Sequence, residues 1–224
     1  MTNYEKLIAS MERKKSEEAF EKACKELVDT DVPEVTCAVG RLYERGTGVP
    51  RSDEEAARLY RIGAEKGHAE SMYRLGRMYE AGVAVPKDIS EAVRLYREAM
   101  DGGCRDAKLQ LARLHDLGEG MEQSDEEAAR LMGEAFGEDG PLDSFDMASI
   151  YYHGSGVGQS YPLAYKWMTK AAEEGNPWAE LYLGRMCDNG EGVPKSSSDA
   201  IRFYRRAADH GVVAALGMLG WMVC

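Results

Sequence analysis

Histidine is the side chain best suited to acid–base or metal chemistry near neutral pH, and the histidines of this chain stand far apart. They are His68, His115, His153 and His210. Metal sites on helices often use two histidines four residues apart, and no two histidines here have that spacing. The sequence therefore predicts neither a metal site nor a histidine-based catalytic centre.

Glycine-rich loops that cradle phosphate groups are a second kind of chemical motif, and Gly-x-Gly segments occur in this chain. They begin at Gly46, Gly118, Gly154 and Gly190. A phosphate-binding loop follows a strand and leads into a helix, often through Gly-Lys-Ser or Gly-Lys-Thr. Each segment here follows a predicted helix and none leads into such a sequence. We therefore interpret these glycines as helix terminators, and we predict no cofactor.

Carboxylate side chains are plentiful, but they follow the charge pattern of exposed helices. Glu55 precedes Arg58, and Glu91 precedes Arg94, by three residues. That spacing supports surface pairs worth about 0.2–0.5 kcal/mol each. No two carboxylates can be singled out as an acid–base pair, so we predict that the protein is not an enzyme. The alternative is a hydrolase-like enzyme with a site in a groove, and its sign would be a nucleophile beside a histidine.

The elements that carry these residues repeat along the chain. A glycine and an alanine each recur every 36 residues over five units. A period in this range predicts an array whose units bury their apolar faces only against their neighbours. The glycines are Gly46, Gly82, Gly118, Gly154 and Gly190, and the alanines are Ala56, Ala92, Ala128, Ala164 and Ala200.

Each unit is predicted to contain two helices. In the first helix, apolar residues such as Leu75 and Met78 recur at helical spacing, and Gly76 is placed where another backbone can approach closely. Gly82 stands where this helix would end in a left-handed residue. The second helix opens with a Ser or Asp, followed in three units by a Glu three residues later, which is the capping box. The capping residues are Ser52, Asp88, Ser124, Ser160 and Ser196.

The segment from Ala69 to Tyr79, Ala-Glu-Ser-Met-Tyr-Arg-Leu-Gly-Arg-Met-Tyr, carries a resemblance to a known family. Together with Gly82 and Val85 after it, this segment resembles the Sel1-like repeat, a relative of the tetratricopeptide repeat. The resemblance covers roughly residues 33–220. It implies an all-α fold, a right-handed α-solenoid of stacked antiparallel helix pairs, and adaptor roles in assembling complexes.

The chain is expected to contain three regions. Residues 1–32 keep the phase of the repeat without its motif, and we predict a degenerate N-terminal helix pair that caps the array. Residues 33–211 form five Sel1-like repeats, and residues 212–224 match a first helix alone. No residue from 212 to 224 is charged. An exposed apolar helix often marks an association surface, so we expect either self-association through this C-terminal helix or a sequence that is part of a longer array.

Composition narrows the class of partner. The formal net charge is −11, which argues against a nucleic-acid binder because phosphate contacts need a basic face. No stretch approaches the ~18 apolar residues of a membrane span, and the start of the chain lacks the apolar region of a signal peptide. We therefore expect no membrane partner and a cytoplasmic location.

Cysteine usage agrees with a reducing compartment. The five cysteines share no phase in the repeat and form no Cys-x-x-Cys pair, so we predict reduced thiols with no redox role. They are Cys24, Cys37, Cys104, Cys187 and Cys224.

The resemblance implies that one face of the first helices looks into a concave groove. Three arginines on this face, Arg41, Arg77 and Arg113, lie one repeat apart, hence ~10 Å apart across packed helices. Each has an acid three residues on, so a self-paired, solvated face is the alternative to a binding site.

Aromatic residues occupy the same face towards the C-terminus. Trp178, Tyr182 and Trp221, with Arg185 beside them, stand at positions that are mostly charged or small in other units. Such residues are enriched at binding hot spots. We therefore predict a non-enzymatic interaction scaffold that holds a peptide or partner helix in its groove. Two alternatives stay open, the hydrolase-like enzyme and a structural repeat protein that self-associates end to end.

Overall fold

The computed structural model describes residues 22, 24, 26, 32–137 and 140–222 of the 224-residue chain. All regular structure in these ranges is helical, as predicted. The predicted N-terminal helix pair lies almost entirely outside the described residues. The helices are α1 (Pro33–Arg45), α2 (Asp53–Glu65), α3 (Ala69–Ala81), α4 (Ile89–Asp101), α5 (Arg105–Leu117), α6 (Asp125–Phe136), α7 (Ser144–His153), α8 (Tyr161–Glu173), α9 (Pro177–Asn189), α10 (Ser197–Asp209) and α11 (Val213–Met222).

The chain divides into two compact units. The first contains Met1–Leu111 and Glu119–Glu122, and the second contains Ala112–Gly118 and Gln123–Cys224. In the first unit α1 packs on α2, α2 on α3, and α3 on α4. In the second unit α7 to α11 pack in the same consecutive manner. We call the odd-numbered helices first helices and the even-numbered ones second helices. None of the helices in the described ranges has the length and apolar character that crossing a membrane requires.

Local signals end and begin these helices where the sequence predicts. Gly82 adopts a left-handed conformation with φ of 70°, and its N–H donates to the carbonyl of Met78. At the start of α2, the Ser52 hydroxyl accepts a hydrogen bond from the Glu55 N–H at 3.1 Å. The Glu55 carboxylate accepts from Arg58, so the side chain of the predicted capping box also serves a surface pair. The interpretation of the repeated glycines as helix terminators is confirmed.

A glycine in the middle of a first helix lets its second helix approach closely. A Cβ atom at Gly76 would lie 2.8 Å from Tyr96 Cε1, and one at Gly184 would lie 2.5 Å from the Tyr204 ring. Both tyrosine rings are almost fully buried. The close approach predicted at Gly76 exists: the Tyr96 ring is the nearest neighbour, and the backbone carbonyl oxygen of Ala92 would lie 3.4 Å from the same Cβ atom.

Filling this contact is expected to destabilise the protein. Gly76→Leu or Gly184→Leu should lower the free energy of unfolding by about 1–3 kcal/mol, because the added side chain overpacks the tyrosine ring. Urea denaturation followed by far-UV circular dichroism measures the change. Gly217→Leu is the matched control, since a Cβ atom at that helical glycine meets nothing within 4 Å. Unchanged stability in the Gly76 and Gly184 variants would contradict this packing.

Candidate binding surfaces

A hydrogen-bond network joins the two first helices of the first unit. Arg74 Nε donates to Glu70 Oε1 at 2.7 Å, and Arg74 Nη1 donates to Glu44 Oε2 at 3.1 Å. The Tyr60 hydroxyl donates to the same Glu44 oxygen at 2.6 Å. Burial, together with this hydrogen bond, raises the pKa of Tyr60 well above its usual range. The hydroxyl therefore stays protonated and keeps its donor role at neutral pH.

The predicted self-pairing of the arginine face does not form in the first unit. Arg41 is half-buried and Arg77 is exposed, and within the described ranges no ion pair engages either of them. The acids three residues further on are bound by tyrosines. Glu44 belongs to the network above, and Glu80 accepts a hydrogen bond from the Tyr96 hydroxyl at 2.7 Å.

Arg77 lines a pocket of about 160 Å³ in the first unit. Its apolar wall consists of Met78, Ala81 and Val83, and charged side chains surround the rest. We call it the Arg77 pocket. Of the predicted site residues, Arg77 is the one that borders this cavity, which has room for a single side chain.

The third arginine of the predicted row, Arg113, is half-buried and belongs to the second unit. The acid three residues beyond it, Asp116, is buried and is bound from α8. Asp116 accepts a hydrogen bond from Trp167 Nε1 at 2.5 Å and forms an ion pair with Lys166. Lys166 also pairs with Asp125 at 2.6 Å. Because Asp116 is closed to solvent, this network holds the fold together and offers no access to a substrate.

Aromatic side chains form a cluster in the second unit. The Tyr182 ring lies 5.7 Å from the Tyr152 ring and 5.9 Å from the Phe145 ring, and Tyr161 lies 5.4 Å from Tyr152, all edge to face. The Arg185 guanidinium lies 5.4 Å from the centre of the Tyr182 ring, a cation–π geometry. We call these four rings the Tyr182 cluster. Tyr182 and Arg185, both predicted site residues, are therefore brought together.

The two predicted tryptophans lie outside this cluster. Trp178 is 51% exposed at the start of α9, where its backbone N–H donates to Asn176 Oδ1 at 3.0 Å. Trp221 is 87% exposed on α11. In the part of the chain that the structure describes, no ring contact joins either tryptophan to Tyr182. Both rings are free to contact a partner.

Sequence reasoning missed three members of the Tyr182 cluster, although the repeat contains a signal for two of them. Tyr152 stands in phase with Glu44, and Tyr161 stands in phase with Asp53. The position of Tyr152 is acidic in all four other units and that of Tyr161 in two of them, so a tyrosine at either position indicates a local change of surface chemistry. The third member, Phe145, has no comparable signal.

A larger groove of about 580 Å³ lies at the N-terminal ends of α1, α3 and α5 in the first unit. Glu34, Glu70 and Asp106 line it together with His68 and Cys104. Within this groove His68 Nδ1 lies 2.9 Å from the Ser71 hydroxyl.

This serine–histidine contact does not form a nucleophilic site. Ser71 is fully buried, and a Cβ atom at Gly63 would lie only 2.2 Å from its hydroxyl oxygen. The backbone at Gly63 therefore encloses the hydroxyl. Ser71 lies three residues after His68, the residue that precedes α3. The contact orders the start of that helix.

The thiols give no sign of activation. Among the described residues, Cys37, Cys104 and Cys187 are free thiols. Burial raises the pKa of the Cys37, Cys104 and Cys187 thiols above its usual value, so the reactive thiolate is disfavoured. Among the described residues, no group of three or more His, Cys, Asp or Glu side chains is suited to a metal ion.

Stacked helix pairs with a 36-residue period and terminating glycines define a helical repeat protein. A family model described as the Sel1 repeat matches residues 33–68, 69–104, 105–136, 144–176 and 179–212. The chain therefore belongs to the Sel1 repeat family, and the predicted resemblance is confirmed. Proteins of this family generally act as protein-interaction scaffolds.

Solved structures of Sel1 repeat proteins resemble this chain. The Sel1 repeat protein from Oxalobacter formigenes is 28% identical with a TM-score of 0.49, and the match covers 84% of this chain and 75% of that one. The c5321 protein, a protective antigen of uropathogenic Escherichia coli with an SLR fold, is also 28% identical, with a TM-score of 0.54. That match covers 90% of this chain but only 43% of c5321. No curated protein matches the chain.

Proposed function

We propose that this protein is a non-enzymatic scaffold that binds a peptide or a partner helix along the face of its first helices. The observation that carries the proposal is the aromatic surface of α9. Trp178 exposes half of its surface there, and Tyr182 and Arg185 stand on the same helix. An exposed tryptophan on the same helix as a half-buried tyrosine and a half-buried arginine has the composition typical of binding hot spots.

We assign to the binding surface the same residues that we expected from the sequence. The arginines supply charge and the aromatic rings supply apolar area, so the surface suits a protein segment better than a nucleic acid or a membrane. The assigned residues are Arg41 and Arg77 in the first unit, and Arg113, Trp178, Tyr182, Arg185 and Trp221 in the second.

The chemistry of the nucleophilic side chains supports a non-enzymatic role, and the state of the cysteines supports a location in the cytoplasm. The buried Ser71 hydroxyl and the raised pKa values of the thiols both disfavour covalent catalysis. The free thiols of Cys37, Cys104 and Cys187, among the described residues, suit a reducing compartment. A hydrolase-like function predicts turnover of ester or peptide substrates that is lost in His68→Ala, and such turnover would overturn the proposal.

Selection of a displayed random-peptide library on the immobilised full chain tests the scaffold function. We expect peptide families that bind the native protein and lose binding to Trp178→Ala. Arg58→Ala is the matched control, because Arg58 is exposed on the second helix α2 and pairs only locally with Glu55. Recovery of no peptide family, or of families sensitive to Arg58→Ala alone, would overturn the assignment.

A second candidate function, self-association, is favoured by the surface of α11. Gly220 stands in phase with Gly76 and Gly184, yet a Cβ atom there meets nothing within 4 Å. On the same side of α11, Val213 is 77% and Leu216 is 58% exposed. The face that holds a second helix in other repeats is thus uncovered among the described residues.

We propose that a second copy of the chain covers this face. α11 has no charged residue, so two acidic chains meet there without the like-charge repulsion that the net charge of −11 creates elsewhere. The same face on both copies gives a closed, two-fold interface.

We expect light scattering to show a concentration-dependent dimer for the native chain and a monomer for Leu216→Glu, because a carboxylate cannot be buried unpaired in the interface. Leu117→Glu changes an exposed leucine (39%) on α5, away from α11, and should leave the dimer intact. A native chain that stays monomeric at millimolar concentration would rule out this interface.

A further inference from the structure

The Arg77 pocket combines an apolar wall with a charged rim, all within the first unit. Met78, Ala81 and Val83 form the wall. Its volume of about 160 Å³ is close to that of a ~150 Å³ cavity known to hold one benzene molecule. The pocket therefore has room for one side chain of a bound segment.

Each charged side chain on the rim, with one exception, forms an ion pair with another side chain. Arg74 binds Glu44 and Glu70, and Arg51 pairs with Asp53 at 3.0 Å. Among the charges that line the pocket, Glu44 offsets Arg74 and Asp53 offsets Arg51, and Glu70 lies outside the lining.

Arg77 is that exception. Its side chain is exposed, and none of the described carboxylates forms an ion pair with it. A guanidinium presents five N–H donors in a planar fork that matches a carboxylate. The pocket thus offers one uncommitted positive charge beside an apolar wall.

The corresponding place in the second unit is filled by the chain itself. Tyr161 and Tyr182 stand 108 residues beyond Asp53 and Arg74, and both belong to the packed Tyr182 cluster. Arg185, in phase with Arg77, lies over the Tyr182 ring. The repeat therefore closes this position with aromatic rings in one unit and leaves it open, with a free arginine, in the other.

We propose that the Arg77 pocket takes the side chain of a glutamate in a segment that binds the first unit, an inference that rests on the proposed function. The two methylene groups of the glutamate contact Met78, Ala81 and Val83, and its carboxylate accepts hydrogen bonds from Arg77. The distant part of the net charge of −11 does not oppose this contact, because exposed charges more than ~8 Å away are largely screened at physiological salt. The two carboxylates that line the pocket, Glu44 and Asp53, are already paired with Arg74 and Arg51.

Peptides from the library selection test the inference. We expect one position of a selected family to be dominated by glutamate. Replacing that glutamate by glutamine should weaken binding to the native protein about fivefold, as for an exposed ion pair of good geometry. The same replacement should have no effect on binding to Arg77→Gln, because the two groups act as one pair. Ala81→Phe, which fills the pocket, should also abolish the preference for glutamate.

Arg97→Gln is the matched control, since Arg97 is an exposed arginine on the second helix α4 of the same unit. This variant should keep the glutamate preference. Peptide families without an acidic position, or an equal loss from the glutamine peptide on the native and Arg77→Gln proteins, would overturn the inference and leave the scaffold function standing. A loss of binding when the peptide terminus is amidated would assign the carboxylate to the chain end and also overturn it. Recovery of no peptide family would overturn the scaffold function and the inference together.

Discussion

Replacing Lys166 by methionine is expected to lower the free energy of unfolding by about 3 kcal/mol. Asp116 is fully buried, and Lys166 supplies the cation that pairs with it. Removal of one partner from a buried ion pair typically costs about 3–5 kcal/mol, because the remaining charge has no water around it. We expect the lower end, since the Lys166 side chain is still 33% exposed. Urea denaturation at neutral pH measures the effect.

Lys170→Met is the matched control for this prediction. Lys170 stands one helical turn further along α8 and pairs with Asp125 at 3.2 Å in a more exposed place. Exposed pairs contribute up to about 1 kcal/mol. The double variant Asp116→Asn with Lys166→Met should lose less stability than the sum of the two single variants. Equal effects of Lys166→Met and Lys170→Met would contradict the buried-pair interpretation.

Substituting Trp178 by alanine is expected to weaken binding of a selected peptide at least tenfold. Buried aromatic anchors cost about 2 kcal/mol or more when they are truncated. Because half of the Trp178 surface is exposed in the free protein, the substitution should change the melting temperature little. Isothermal titration calorimetry measures the affinity, and circular dichroism measures the stability.

Tyr182→Ala should weaken binding to a similar extent but with a larger loss of stability. Tyr182 contacts Phe145 and Tyr152, and aromatic pairs of this kind contribute about 0.5–1.5 kcal/mol beyond their buried area. Charge reversal at Arg77 should weaken binding less than either aromatic substitution at physiological salt. If Trp178→Ala and Tyr182→Ala leave the affinity unchanged while Arg58→Ala abolishes binding, the partner uses the second-helix face.

The sequence by itself determined the helices and their ends. Gly82 terminates α3 and Ser52 caps α2 through hydrogen bonds that span three or four residues. Interactions of this range leave a periodic record in the sequence, so helix spacing and cap residues were sufficient to predict the repeat and its family. The aromatic character of α9 was visible for the same reason, since Trp178 and Tyr182 stand one helical turn apart on a single face.

Only the tertiary structure decided which charged side chains form ion pairs or hydrogen bonds, and with which partners. Glu44 was expected beside Arg41, three residues away, but it binds Tyr60 and Arg74, which are 16 and 30 residues away in the chain.

Asp116 likewise finds its partners in α8, with Trp167 51 residues further on. Met132 stands in phase with Tyr60, so the helix pair of Asp116 lacks the tyrosine that binds the equivalent acid elsewhere. Pairing between residues so far apart in the chain depends on how neighbouring helices pack, and a single repeat motif does not predict that pairing. Within the described ranges, the same packing leaves Arg77 without an ion-pair partner beside an open pocket, whereas the guanidinium of its counterpart Arg185 lies over an aromatic ring.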